Sequence, residues 1–258
     1  MIMYVCNNVH KLLLIVVALL LNTLAYGYAL DVVTEDFPPF QYLDKNKKVQ
    51  GMATEVVRLV LKEAGIKAEI RMYPWARAYK RALQETNVLI YSIARTRERE
   101  HHFKWIGTIT PYSVYLWKLK KRKDIQIHKI EQAKQYLTGG VPKDVKLDYL
   151  LGYGFEVGDH LILSKSDVQN LIMLANERIH LTPFDEIAFS YSVKQLGYDI
   201  ADFERALYIE ELSSELYMAM SILTPEDLVY TLRKALEKVK GSGQYDNIRQ
   251  KYLNNTTD

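Results

Sequence analysis

Two hydrophobic periods alternate along residues 30–93, and together they leave little freedom of architecture. Residues 30–35 are apolar and β-branched, the composition of a short strand. Asp36-Phe-Pro-Pro-Phe40 ends it, since neither proline can donate to a ladder. After a loop or hairpin about Asp44-Lys-Asn46, Met52, Val56, Leu59, Val60 and Ala64 recur at helical spacing, with Gly51 before them and Gly65 as the stop. Residues 68–72 alternate as a strand, Pro74 precedes a helix over 75–83, and residues 88–93 read as a buried strand. Strands separated by helices pair in parallel, because each crossover must run over a face of the sheet.

The remainder repeats this logic. Residues 113–118 form an extended segment leaving the first unit. Helical pattern then falls over 130–135, 145–153, 167–176 and 187–196, and strand pattern over 136–139, 161–163 and 179–182. Residues 207–210 and 215–220 are extended and lead back, and an amphipathic helix over 225–238 and a last helix over 244–252 close the chain. The expected fold class is α/β with two lobes: lobe I from 30–115 and 218–258, lobe II from 116–217. Two extended crossovers join them, and a cleft lies between.

The N-terminus has the layout of a secretory signal peptide. Lys11 gives a sparse positive region, Leu12 to Leu21 is an apolar run, and Gly27-Tyr28-Ala29 is a small-x-small cleavage site, so residues 1–29 are expected to be removed near Ala29. The run is short of the roughly 18–20 apolar residues of a membrane span. Cys6 is the one cysteine, so disulfides play no part after cleavage. The formal charge of +3 is too small for a nucleic-acid footprint, and the dense basic run Lys118–Lys123 reads as a solvated loop. Tyrosine outnumbers phenylalanine by 19 to 7, which suits a wet cleft because tyrosine joins a flat apolar face to a hydroxyl.

The strand at 88–93 runs directly into Arg95, Arg97 and Arg99. An arginine at a strand end presents a rigid fork of donors to a carboxylate. The alternative is a solvated helix start in which Arg97, Glu98, Arg99 and Glu100 cancel in water.

Four stretches in this order resemble the family-3 periplasmic solute-binding proteins, the receptors of polar amino-acid ABC importers. They are Phe37-Pro-Pro-Phe40 followed by Gly51; Thr96-Arg-Glu-Arg99 followed by Phe103-Lys-Trp-Ile-Gly107 and Pro111-Tyr112; Asn176-Glu-Arg-Ile-His-Leu-Thr-Pro-Phe-Asp185; and the closing pattern from Leu232 to Tyr252. The resemblance spans Val32 to about Leu253 and implies the type II bilobed fold. It implies that Arg99 grips a ligand α-carboxylate, that Asp185 takes the α-ammonium, and that Phe40 is the aromatic wall. Ser92 and Ala94 would contribute strand-end backbone groups. Asp36, Trp75 and Arg77 are further rim candidates.

Two departures matter. Lys143-Asp144 stands where the family has Gly-Thr, so Asp144 would repel a carboxylate but accept a cationic or hydroxylated group. Ala94 replaces the usual Ser or Thr. The implied protein is a periplasmic monomer that passes a small polar, amino-acid-like solute to an ABC permease of the inner membrane, with no cofactor, metal or nucleic acid. A sensory module docking to a membrane receptor needs the same cleft. A dehydratase-like enzyme using Glu35 or Asp185 as general acid is the third reading. No His pair at metal-ligand spacing, nucleophile elbow or phosphate loop is present.

Overall fold

The computed structural model describes residues 30–253; the expected signal segment lies outside the described residues. The first sheet has the order β4–β1–β5–β12–β6. Its strands are β1 (Asp31–Thr34), β4 (Ile70–Met72), β5 (Val88–Ala94), β6 (Phe103–Tyr112) and β12 (Ser214–Ser221). β1 is parallel to β4 and β5, as alternation with the helices α1 (Met52–Glu63) and α2 (Trp75–Gln84) requires. β12 returns from the far half of the chain and inserts antiparallel between β5 and β6. The short hairpin β2 (Tyr42–Leu43) and β3 (Val49–Gln50) turns about Asp44, whose carboxylate accepts from the Asn46 and Lys48 amides.

Period-2 alternation divides the faces of this sheet. Val32, Leu89 and Tyr91 pack with Val56 and Val60 of α1, whereas Val33, Val88 and Ile90 pack with Trp75, Ala78 and Ala82 of α2. The alternation breaks at Ser92. Tyr217 pairs with Ile93 and Met218 with Tyr91, so Ser92 is the extra residue of a bulge, and its φ is 59°. Ile93 thereby joins Val88 and Ile90 on the α2 face.

The second sheet is antiparallel, β10 (Thr182–Asp185), β7 (Val114–Leu119) and β11 (Phe203–Tyr208). Beside it β8 (Thr138–Gly140) pairs in parallel with β9 (Leu161–Leu163), and a Thr138–Leu181 bridge ties the two groups together. The helices α3 (Val145–Gly152), α4 (Asp167–Ala175) and α5 (Glu186–Gln195) belong to this half. The expected strand at 179–182 begins only at Thr182, and the helix at 130–135 is a 3-10 turn.

The chain crosses between the sheets at Tyr112–Val114 and again at Tyr208–Ser214. These crossings lie side by side: the Ile209 amide donates to the Val114 carbonyl at 2.9 Å, and the Val114 amide donates to Ser213 Oγ at 2.9 Å. After β12, helices α6 (Glu226–Gly241) and α7 (Gln244–Leu253) return to the first half, where Tyr252 and Lys251 bond to Glu55 of α1. The molecule is a two-lobed α/β fold, as the sequence predicts.

Candidate functional site

The ends of β1, β5 and β6 meet the N-termini of α3 and α4 at a narrow cavity between the lobes, about 20 Å³, room for about one water. Lobe I contributes the Ser92 bulge. Its left-handed backbone re-aims the strand end, so Ser92 and Ala94 both reach the cavity wall. Ser92 Oγ donates to Gln41 Oε1 at 2.7 Å.

The three arginines separate cleanly. Arg95 pairs with Glu100 at 2.6 Å and lies over the Trp105 ring. Arg97 is exposed along an outer cleft that also meets His102, Tyr149, Tyr153 and Glu211. Arg99 turns inward because residues 96–102 form a tight turn, in which the Arg99 amide donates to the Thr96 carbonyl at 3.1 Å. It is 4 % exposed and slotted between Trp75 and Tyr79, its guanidinium 5.6 and 5.0 Å from their ring centres. Its Nη1 donates to the Ala94 carbonyl at 3.3 Å and its Nη2 to the Lys143 carbonyl of lobe II at 2.9 Å. A guanidinium has five N–H donors, so most of the fork stays available to a ligand.

Lys143 has a φ of 66°, and this left-handed residue aims its carbonyl back across the cleft. The same oxygen accepts from Trp75 Nε1 at 2.7 Å. One lobe II carbonyl is thus held by two lobe I donors.

Asp144 caps α3, accepting from the Lys146 amide at 2.8 Å. The Lys146 side chain folds back into the cavity. Its Nζ lies 3.0 Å from Asp144, 3.0 Å from Asp167 and 3.3 Å from the Tyr112 hydroxyl. Burial opposes the charge on Lys146, yet the Asp144 and Asp167 carboxylates outweigh it and hold the ammonium well above its ordinary pKa. Burial also pushes Asp167 up to about 6, against the pull of Lys146. Across the cavity, Glu35 has no hydrogen bond or ion pair among the described residues. Burial lifts its carboxyl well above the usual range, the Asp144 and Asp167 charges add to this, and Lys146 opposes them.

Two expected site residues lie elsewhere. Phe40 is fully buried in the lobe I core, and Phe37, 5.1 Å away, lines the cavity in its place. The tight turn after β1, in which the Phe40 amide donates to the Phe37 carbonyl, sends the first aromatic to the cleft and the second inward. Asp185 is buried but outside the cavity wall. It caps α5 through the Ala188 amide and accepts from the Ser113 amide at the crossover, both at 2.9 Å. Burial raises its pKa to about 7 despite those donors. Of the rim candidates, Trp75 lines the cavity, while Asp36 and Arg77 are exposed.

Lys146, Asp167 and Tyr112 were not singled out from sequence. Lys146 could have been: it stands one helical turn before the buried Leu150, on a stripe that is otherwise apolar. Asp167 reads only as an acid in the first turn of a helix.

The sequence matches the bacterial extracellular solute-binding proteins, family 3, over residues 30–255. The chain belongs to that family. No curated protein sequence matches it. Solved structures with the same fold include a histidine kinase sensor domain with similarity to periplasmic binding proteins (17 % identical, 88 % of this chain and 96 % of that one, TM-score 0.77). An ancestral arginine-binding protein bound to arginine is 21 % identical over 86 % of this chain and 97 % of its own, with a TM-score of 0.75. A mutant of ArgBP from T. maritima is 18 % identical over 88 % and 96 %, also with a TM-score of 0.75. Membership of an extracellular solute-binding family implies a periplasmic or secreted protein that binds a solute.

Proposed function

We propose that this family-3 protein captures a small polar, amino-acid-like solute by closing its lobes about the crossovers, and delivers it to an ABC importer in the inner membrane. In this reading residues 1–29 are a signal peptide cleaved near Ala29, and the protein acts as a periplasmic monomer. The observation that carries the reading is the cavity between the lobes, with the Arg99 guanidinium on one wall and the unpartnered Glu35 carboxyl on another. Arg99 would grip a carboxylate by a charge-assisted pair. Glu35 would take the amine, the part the family resemblance gives to Asp185. Ser92 and Ala94 line the lobe I wall, Phe37, Trp75 and Tyr112 supply aromatic surface, and Asp144 acts through Lys146. The arginine-bound relative supports an amino-acid-like ligand.

Thermal shift of the purified protein against amino acids, amines and organic acids tests this. A ligand at 100 times its Kd should add about 2.7 kcal/mol of stability. Arg99→Ala should abolish that shift and Arg97→Ala should leave it, since only Arg99 reaches the inner cavity. Silence across the whole panel, or equal losses in both variants, overturns the assignment.

The likeness to a kinase sensor domain supports a second reading, a sensory module that docks to a membrane receptor. Deleting the gene separates the two. Lost uptake of the bound solute favours transport, and intact uptake with a lost transcriptional response favours sensing.

A further inference from the structure

Lobe II presents two carboxylates to the cavity, Asp144 and Asp167, and both are occupied by the chain itself. The Lys146 ammonium is 4 % exposed and has three donors, which Asp144, Asp167 and the Tyr112 hydroxyl take up. Tyr112 also places its ring 5.9 Å from this nitrogen. The lysine is rooted two residues after the helix cap, so its position is fixed by the Asp144 cap itself. Asp185, a further carboxylate nearby, is engaged by two backbone amides, and Asp148 and Asp36 lie outside the cavity wall. Across the inner cavity this leaves two cations, Arg99 and Lys146, facing three carboxyls, of which Glu35 has no hydrogen bond or ion pair among the described residues.

We propose that Lys146 is a specificity-determining residue: its ammonium fills the lobe II carboxylate site from within, so the cavity accepts a solute with one cationic group and rejects one with two. This rests on the reading of the cavity as a solute site. The first cation of a ligand meets Glu35. A second finds Asp144 and Asp167 already bonded to Lys146; one negative charge is left over among the three groups, but the ammonium occupies the place between the two carboxylates, which is discrimination by occupancy. Neutral or zwitterionic amino acids fit these terms; diamino acids and diamines do not. Burial supports the assignment, because two carboxylates stripped of their counter-ion in a closed cavity demand another cation.

The experiment compares wild type, Lys146→Met, and a triple variant that adds Asp144→Asn and Asp167→Asn, by calorimetry and thermal shift. The probes are the monoamino acids, lysine, and 1,4-diaminobutane. Wild type is expected to bind a monoamino acid and to discriminate against both dicationic probes by about tenfold or more, a difference of about 1.4 kcal/mol. Lys146→Met is expected to reverse that preference, and ethylammonium should raise its melting temperature by refilling the vacated place. Should this variant fail to fold alone, recovery of folding by ethylammonium is the same result. The triple variant, whose Asn retains the cap, should show neither effect. Wild type binding both classes equally, or Lys146→Met gaining nothing while wild type still binds a monoamino acid, overturns the role of Lys146 and leaves the solute site standing. Wild type binding no polar solute at all overturns the underlying reading and this inference with it.

Discussion

Asp185, Asp167 and Glu35 are carboxyls that folding removes from water, and each is harder to ionise than in the unfolded chain. The sign of the consequence is fixed. Between the unfolded and folded pKa the native state holds more protons, so stability falls as pH rises through that interval. For Asp185 the interval runs from its ordinary 3.8 to about 7. Asp185→Asn should therefore flatten stability against pH between about 4 and 7, measured as urea midpoints. Asn can accept from only one of the Ser113 and Ala188 amides, so the variant starts about 1 kcal/mol lower. An unchanged slope would mean that Asp185 is ionised throughout. Lys143 is the second residue whose role is backbone. Its left-handed φ aims a carbonyl at Trp75 and Arg99, so Lys143→Gly should keep ligand affinity and match or exceed wild-type stability within about 1 kcal/mol. Lys143→Val, β-branched at the same φ, should lose both.

A single extra residue in β5 decides which side chains see the cleft. Ser92 holds the bulge at φ 59° and donates to Gln41, whose amide nitrogen is buried without a partner. Ser92→Val should cost roughly 2–3 kcal/mol by chemical denaturation, adding a lost hydrogen bond to a strained β-branched backbone, while Ser92→Gly should cost about 1 or less. Equal costs would mean that the bulge does not depend on that conformation. This bulge also marks the limit of what the sequence discloses. Apolar composition and periodicity made the existence of β1, β4, β5, α1 and α2 legible, but neither says where one residue is inserted. Pro183 hid β10 in the same way. A proline argues against a strand, yet β10 lies at the edge of its sheet, where a missing donor costs no ladder bond. The site was half legible for a related reason. Arg99, Ser92, Ala94 and Asp144 sit at element ends that pattern locates, and all four line the cavity. Phe37 and Phe40 flank one turn, and no periodicity tells which of them faces inward. The contact between Lys146 and Asp167 joins two helices through space, which spacing along the chain does not encode.

At the scale of the molecule, few polar contacts join the two lobes inside the cleft: Trp75 and Arg99 of lobe I share the Lys143 carbonyl, and Lys146 of lobe II reaches the Tyr112 hydroxyl. Beside the Phe37–Phe184 and Tyr42–Tyr191 ring contacts, the halves are joined by the paired crossovers, which can flex as a hinge without breaking either sheet. The balance between open and closed forms should then respond to single hydrogen bonds. Trp75→Phe retains the ring that packs on Ala78 and Tyr79 but removes the indole donor, and Arg99 continues to satisfy the carbonyl. Losing one net hydrogen bond, roughly 0.5–1.5 kcal/mol, shifts the open-to-closed ratio by roughly two- to tenfold. Small-angle scattering of the ligand-free variant should show a larger radius of gyration than wild type, and saturating ligand should restore it. Arg99→Ala should open the cleft as well, but without recovery, because under the proposed function the donor that joins the lobes would also be the one that holds the solute. A Trp75→Phe protein with the wild-type radius would place the closing force in the crossovers and not in the cleft.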